Sequence, residues 1–395
     1  MRSEDTRGYG AEAPVDLTRA TAVPAAPLPV DGPTEPQPRS AEPALAAPAP
    51  TVTGAPAQWG WRGRVRALSG GLIRPIPTAA ETRYRLAEAA ARQHLGGSRL
   101  LMVASPKGAA GVTTATLLLA HTLATVRGGS VVAWDNTDAR GNLGDRAEVT
   151  TPGTSVSQLL EGFEWLVTSM SAAGDMSHYL RSQPSGAEIL AGDTAPVSHG
   201  QIGAGECGRI SVLLARHFRL TVMDTGNDVH ASRWQWSAGA ADCLVVPITL
   251  DIDVAQAASW MLDTLEARGR ADLVLGAVVV VRPGSTAPPD AARLHVLQHF
   301  HDRCGVVVEV PHDPQLAAGV PMVFTRLAPA TRRAWVMVAA AVADRIAAVR
   351  RDRPDQVSAD THRHPPVRDS SLPGPPGTHG IGASVTSLPR RRAQA

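Results

Sequence analysis

From Arg99 onward the chain alternates short apolar runs with longer stretches of alanine, leucine and scattered charge. The runs 99–104, 130–134, 187–190, 219–223, 243–247, 274–281 and 305–309 are rich in Val, Leu and Ile. Runs of that kind read as strands buried on both faces. Between them, 114–126, 206–217, 252–268 and 289–301 read as helices, and a last helix is expected from Pro329 to about Val349. Strand and helix in alternation predict an α/β fold, a doubly wound and mostly parallel sheet flanked by helices. Upstream, Thr78-Ala79-Ala80-Glu81 has the form of a capping box. It starts a helix to about His94, which Gly96-Gly97 ends before the first strand.

The pattern fails at both ends. Residues 1–58 are rich in Pro and Ala, with few apolar side chains larger than Ala. Such a segment has too little to bury and is expected to be a disordered tail, with docking to a partner as its functional alternative. Residues 350–395, with Pro365-Pro366, Pro373 and Pro375-Pro376, are expected to be a second disordered tail. Trp59-Gly60-Trp61-Arg62-Gly63-Arg64-Val65-Arg66 marks the change of character. Tryptophans among arginines suit a membrane surface or a partner; the reading adopted is that Trp59 and Trp61 pack back on the domain. The organisation expected is therefore a tail (1–58), a Trp/Arg segment with a helix (59–97), one α/β domain (98–349) and a tail (350–395).

Composition narrows the function classes. The 395 residues are 44% hydrophobic and 19% charged, which suits one globular domain with flexible ends. Lys and Arg total 38 against 36 Asp and Glu, so net charge gives DNA binding no support. Cys207, Cys243 and Cys304 lie far apart without CxxC spacing, and buried reduced thiols are expected. No 18-residue uncharged apolar run is present, so no transmembrane segment is expected. Met1–Gly10 lacks the apolar core of a signal peptide, and a cytoplasmic location is expected.

The candidate chemistry gathers at strand ends, where doubly wound sheets bind ligands. Ser105-Pro106-Lys107-Gly108-Ala109-Ala110-Gly111-Val112-Thr113-Thr114 lies between the first strand and a helix. A turn there aims backbone N–H groups and the positive helix end at an anion. Thr113 and Thr114 are placed to ligate Mg²⁺ through a hydroxyl. Asp135 follows the second strand in Asp135-Asn136-Thr137-Asp138-Ala139-Arg140-Gly141-Asn142-Leu143-Gly144. Asp224 ends the strand 219–223, in Asp224-Thr225-Gly226-Asn227. Carboxylates so placed beside a phosphate loop hold Mg²⁺ or its water.

These residues resemble the MinD/ParA family of P-loop ATPases. The loop keeps K-G-x-x-G-x-T-T of that family's K-G-G-x-G-K-T-T, and Asp224-Thr225-Gly226 matches its D-T-[PG]. Ala241-Asp242-Cys243-Leu244-Val245-Val246-Pro247 matches A-D-x-x-[LIV]-[LIV]-P. Gly60-Trp61-Arg62, Gly70-Gly71-Leu72-Ile73 and Ala139-Arg140-Gly141-Asn142-Leu143-Gly144 extend the likeness to MinD/ParA-like proteins of type VII secretion. The resemblance covers about 59–349. It implies ATP and Mg²⁺ as cofactors and a homodimer closed over nucleotide, with Lys107 reaching the partner's phosphates. It assigns nucleotide contacts to Lys107, Gly108, Ala109, Ala110, Gly111, Val112, Thr113 and Thr114. The metal falls to Thr113, Asp135 and Asp224, and the adenine-closing turn to Pro311 and Asp313. Lys107, Asp135 and Asp224 are the catalytic candidates. Two departures bear on turnover: Val112 stands where the family has its cis lysine, and Thr137 where it has the water-orienting acid. At 282, where the family reads adenine with Asn or Lys, this chain has Arg282. The implied function is a switch acting on a secretion machine or a DNA partition complex; the alternative is a degenerate, adaptor-like pseudo-ATPase.

Overall fold

A computed structural model describes residues 55–137, 141–150, 155–168, 173–193, 202–284, 288–316 and 320–352. The two expected tails fall, but for 55–58 and 350–352, outside the described residues, as do Asp138, Ala139 and Arg140. In chain order the helices and strands are α1 (Gly60–Leu68), α2 (Ala79–Ala91), β1 (Arg99–Val103), α3 (Val112–Arg127), β2 (Val131–Asn136), α4 (Leu143–Arg146), α5 (Val156–Glu161), α6 (Phe163–Thr168), α7 (Ala173–Ser177), β3 (Arg181–Ser182) and β4 (Ala187–Leu190). They continue with α8 (Ala204–His217), β5 (Leu220–Thr225), α9 (Ser232–Ala240), β6 (Cys243–Thr249), α10 (Ile252–Ala267), α11 (Ala271–Leu275), β7 (Val278–Arg282), α12 (Asp290–Cys304), β8 (Val306–Glu309) and α13 (Pro329–Asp352).

The strands form one eight-stranded sheet in the order β3-β4-β2-β5-β1-β6-β7-β8, parallel throughout except for the edge pair β3–β4. Alternation along each strand feeds two cores. Leu100, Met102, Trp134, Met223 and Val246 face one side, packing with residues of α8, α9, α10 and α12. Leu101, Val103, Ala133, Val222 and Val245 face the other, packing with α2, α3 and α13. The chain is thus an α/β protein with helices on both faces of a mostly parallel sheet.

Four expectations need correction. The strand expected over 274–281 begins only at Val278. Residues 271–275 instead form α11, whose Leu273 and Val274 are buried while Leu275 is exposed. Asp272 sits in its first turn and Gly276 closes it, both suited to a short helix. Ordered packing begins before residue 59: Ala57 is buried, and its N–H donates to the Pro75 carbonyl at 2.8 Å. The capping box is only half made. Thr78 Oγ1 accepts from the Glu81 N–H at 3.2 Å, but the Glu81 carboxylate accepts from the Gln58 N–H at 2.7 Å and pairs with Arg85 at 2.6 Å. Finally, the two tryptophans part company. Trp59 packs on Tyr84 with ring centroids 5.1 Å apart and under Arg333 at 4.7 Å, whereas Trp61 is 69% exposed.

Candidate functional site

The site lies at the carboxyl edge of the central strands β2, β5 and β1. Hydrophobic burial fixes their register, and the register fixes the chemistry. Leu101, Met102 and Val103 lie opposite Val222, Met223 and Asp224, and across the next pair Asp135 lies opposite Asp224. Two carboxylates therefore end adjacent strands, beside the loop leaving β1. Both are buried, at 2% and 1% exposure.

The loop turns through Ala109 at φ 65° and Gly111 at φ 92° before α3 begins. Gly111 is suited to the left-handed region; Ala109 is not, and its Cβ costs about 1 kcal/mol there. α3 starts at Val112, two residues ahead of the expected Thr114, so Val112, Thr113 and Thr114 form its first turn. The side chain of Val112 packs against the core shared by α2, α3 and α13. Thr113 donates from its hydroxyl to Asn142 Oδ1 at 3.0 Å and lies beside the Asp224 carboxylate. Thr114 accepts from Arg146 Nη1 at 2.7 Å.

The two acids differ in how they are satisfied. Asp135 Oδ1 accepts from the Thr137 hydroxyl at 2.7 Å and N–H at 3.3 Å, and Oδ2 accepts from the Leu143 N–H at 3.3 Å. Gly141 and Gly192 press their backbones on this carboxylate, and any Cβ at Gly141 would overlap it. Burial still raises its pKa above the usual carboxylate range, the bonds from Thr137, Leu143 and Gly192 opposing the rise. Asp224 is the poorer accommodated. Its Oδ2 is buried without a hydrogen-bond partner. Burial first, then the Asp135 charge, hold its carboxyl well above the usual range, with Thr113 and Arg146 acting in opposition.

This donor set suits an oxygen-coordinated divalent cation. A hard ion such as Mg²⁺ takes a hydroxyl and one or two carboxylates together with phosphate oxygens. Thr113 and the spare oxygen of Asp224 would hold it, while Asp135 is engaged by its own loop. The start of α3 suits an anion. Bound together there, Mg²⁺ and a nucleoside triphosphate would supply phosphoryl-transfer chemistry.

Other expected site residues stand as follows. Lys107 and Gly108 are exposed, and Lys107 Nζ pairs with Asp253 Oδ2 at 3.0 Å in the first turn of α10. Ala109 is exposed and Ala110 buried. Both oxygens of Asp313 are engaged. Oδ1 accepts from the Gln315 N–H at 3.1 Å and Oδ2 from the Ala328 N–H at 2.9 Å, fixing the segment before α13. Although burial acts to raise its pKa, the nearby Thr331 hydroxyl and the bonds from the Ala328 and Gln315 N–H groups hold it below the usual range. Pro311, preceding this turn, is exposed. Sequence reasoning missed Arg146, and it noted Arg282 only as a departure at the position where the family reads adenine. In the structure Arg282 Nη2 donates to the carbonyls of Ala110 at 2.6 Å and Ala109 at 3.3 Å, within the loop itself. The available signal for Arg282 was a charged residue ending an all-valine strand, much as Asp224 follows the buried run 220–223.

These features define the class: the chain has the fold of the MinD/ParA P-loop ATPases. It aligns with a ParA family ATPase from Chlorobium tepidum at a TM-score of 0.50, with 12% identity, over 62% of this chain and 98% of that one. It is also a distant relative of the ESX-1 secretion-associated protein EspI of Mycobacterium tuberculosis. With that protein, from each of two strains, it shares 29% identity over 290 residues, 73% of this chain. The match spans 42% of the length of these curated relatives. No protein-family model matches the chain. Among the described residues no helix is long and apolar enough to cross a membrane.

Proposed function

We propose that the chain is an ATP- and Mg²⁺-binding switch whose nucleotide-bridged homodimer positions or regulates a partner complex of type VII secretion. The observation that carries this reading is the buried pair Asp135 and Asp224 in register beside the loop, with Asp224 Oδ2 unpartnered next to Thr113. A buried carboxylate with one oxygen unpartnered, set against a second carboxylate, is costly even with Thr113 and Arg146 nearby, and a bound cation would relieve that cost. The relation to EspI supports a secretion partner over a DNA partition complex, as does the near-neutral net charge. Lys107 is free to act across a dimer interface, since its pairing with Asp253 is exposed and therefore weak.

A second reading, a catalytically weak adaptor, is favoured by Val112 and Thr137. Val112 packs its half-buried side chain against the core, and Thr137 uses its hydroxyl to hold Asp135. On this reading nucleotide is bound but turned over slowly. Calorimetry of the full chain with ATP, with and without Mg²⁺, tests the binding claim. Binding that Mg²⁺ strengthens is expected; no binding under either condition overturns both readings.

A further inference from the structure

Val112 leaves the loop without a cis lysine, yet two guanidinium groups converge on it from distant parts of the chain. Arg282, at the end of β7, reaches the carbonyls of Ala109 and Ala110, and a Cβ at Gly111 would collide with its guanidinium. Arg146, at the end of α4, reaches Thr114 in the first turn of α3. The Nε atoms of both are buried and have no hydrogen-bond partner. Burial, and then the charge of Arg146, depress the pKa of Arg282, so two cations are held near each other in a poorly solvated place. They also face the positive end of a 16-residue helix. Asp224 offsets the charge of Arg146 in part, and an anion placed among the two guanidinium groups relieves the rest.

We propose that Arg282, with Arg146 beside it, is the cis phosphate-binding cation of this loop and takes the polyphosphate of the nucleotide in place of the missing lysine. The proposal rests on the reading that the loop binds nucleotide. Arg282 now bonds neutral carbonyl oxygens, whereas phosphate would offer it an ionised acceptor and a bidentate fit. A planar fork also fits phosphate oxygens in pairs, which a lysine does not. Exchange of carbonyls for phosphate therefore favours the bound state and frees the loop backbone.

The test is calorimetry of the full chain with two probes, ATP–Mg²⁺ and inorganic tripolyphosphate. The proteins are wild type, Arg282→Gln, Arg282→Lys, Val112→Lys and the double variant Val112→Lys/Arg282→Gln, each checked for a cooperative thermal transition. Arg282→Gln should weaken both probes about tenfold or more, as loss of a charge-assisted contact does. Arg282→Lys, which keeps the charge if the Gln variant folds poorly, should lose less, and the double variant should recover most of the affinity. Tripolyphosphate binding by Arg282→Gln as tight as wild type, or tighter, overturns the proposal, because the guanidinium would then be idle or a plug. Loss confined to ATP also overturns it, because Arg282 would then read the base. Failure of wild type and Val112→Lys alike to bind either probe overturns the nucleotide reading itself, and this proposal with it.

Discussion

Asp224→Asn should make the nucleotide-free protein more stable while removing its response to Mg²⁺. The strands carrying Asp135 and Asp224 are adjacent and in register, a spacing of about 4.8 Å. Two carboxylate charges at that separation repel by roughly 3.5 kcal/mol at an effective dielectric near 20. Attraction to Arg146 and the Thr113 hydroxyl offsets part of this, and burial adds to it. A net gain of about 1–3 kcal/mol for Asp224→Asn at pH 8 is expected, or roughly 2–4 °C per kcal/mol in Tm. The sign with pH follows from the raised carboxyl. The unfolded chain releases this proton near its ordinary value, about 3.9, whereas the folded chain holds it to higher pH. Wild-type stability from this group is therefore lost as pH rises from about 4 through the folded value. The advantage of the Asn variant should be larger at pH 8 than at pH 5. Urea unfolding in EDTA at both pH values is the assay, repeated at pH 8 with ATP–Mg²⁺, where the order should reverse. A variant less stable than wild type at pH 8 in EDTA would refute the reasoning, as would an advantage equal at both pH values.

Lys107→Ala should change stability by under about 1 kcal/mol, since its pair with Asp253 is exposed, yet weaken nucleotide-dependent association in sedimentation; strong destabilisation would contradict this. Val112→Lys should raise ATP affinity about tenfold or more by calorimetry, while phosphate release should rise appreciably only when Thr137→Asp is added. Burial without a partner for Nε2 drops the His121 pKa to about 4. The unfolded chain thus binds the extra proton between about 6.5 and 4, and stability should fall by up to about 3 kcal/mol as pH drops through that window; His121→Gln should flatten this part of the urea-derived profile. Gly141→Ala should cost about 1–3 kcal/mol, because the new Cβ meets the Asp135 carboxylate, and a neutral result by thermal unfolding would mean that the contact is not rigid.

The frame was legible because buried parallel strands write themselves as nearly continuous apolar runs. Val131–Asn136, Leu220–Thr225 and Cys243–Thr249 each lie within two residues of where the apolar pattern puts them. The carboxylates were legible for the same reason: an acid ending such a run has one place to be. The short helices α4 to α7 were not, since four to six residues carry too little periodicity to separate helix from loop. α1 was missed because none of its residues is buried, so no apolar stripe announces it. The roles of Arg146 and Arg282 depend on side chains crossing to the loop from 32 and 172 positions away in sequence. Local pattern holds no information about such contacts. Glu81 shows the same limit in part: its spacing promised a cap, but its carboxylate serves the Gln58 N–H, 23 positions away, and Arg85 one turn on along the same helix.

The central claim is that nucleotide joins two copies of this chain through the loop and its acids. Sedimentation velocity of the full-length protein, alone and with Mg²⁺ plus a non-hydrolysable ATP analogue, addresses it directly. The protein should be a monomer that becomes a dimer only with nucleotide and Mg²⁺ together, a response lost in Asp224→Asn and weakened in Lys107→Ala. An unchanged sedimentation coefficient at saturating nucleotide, or a dimer equally formed by Asp224→Asn, would contradict it.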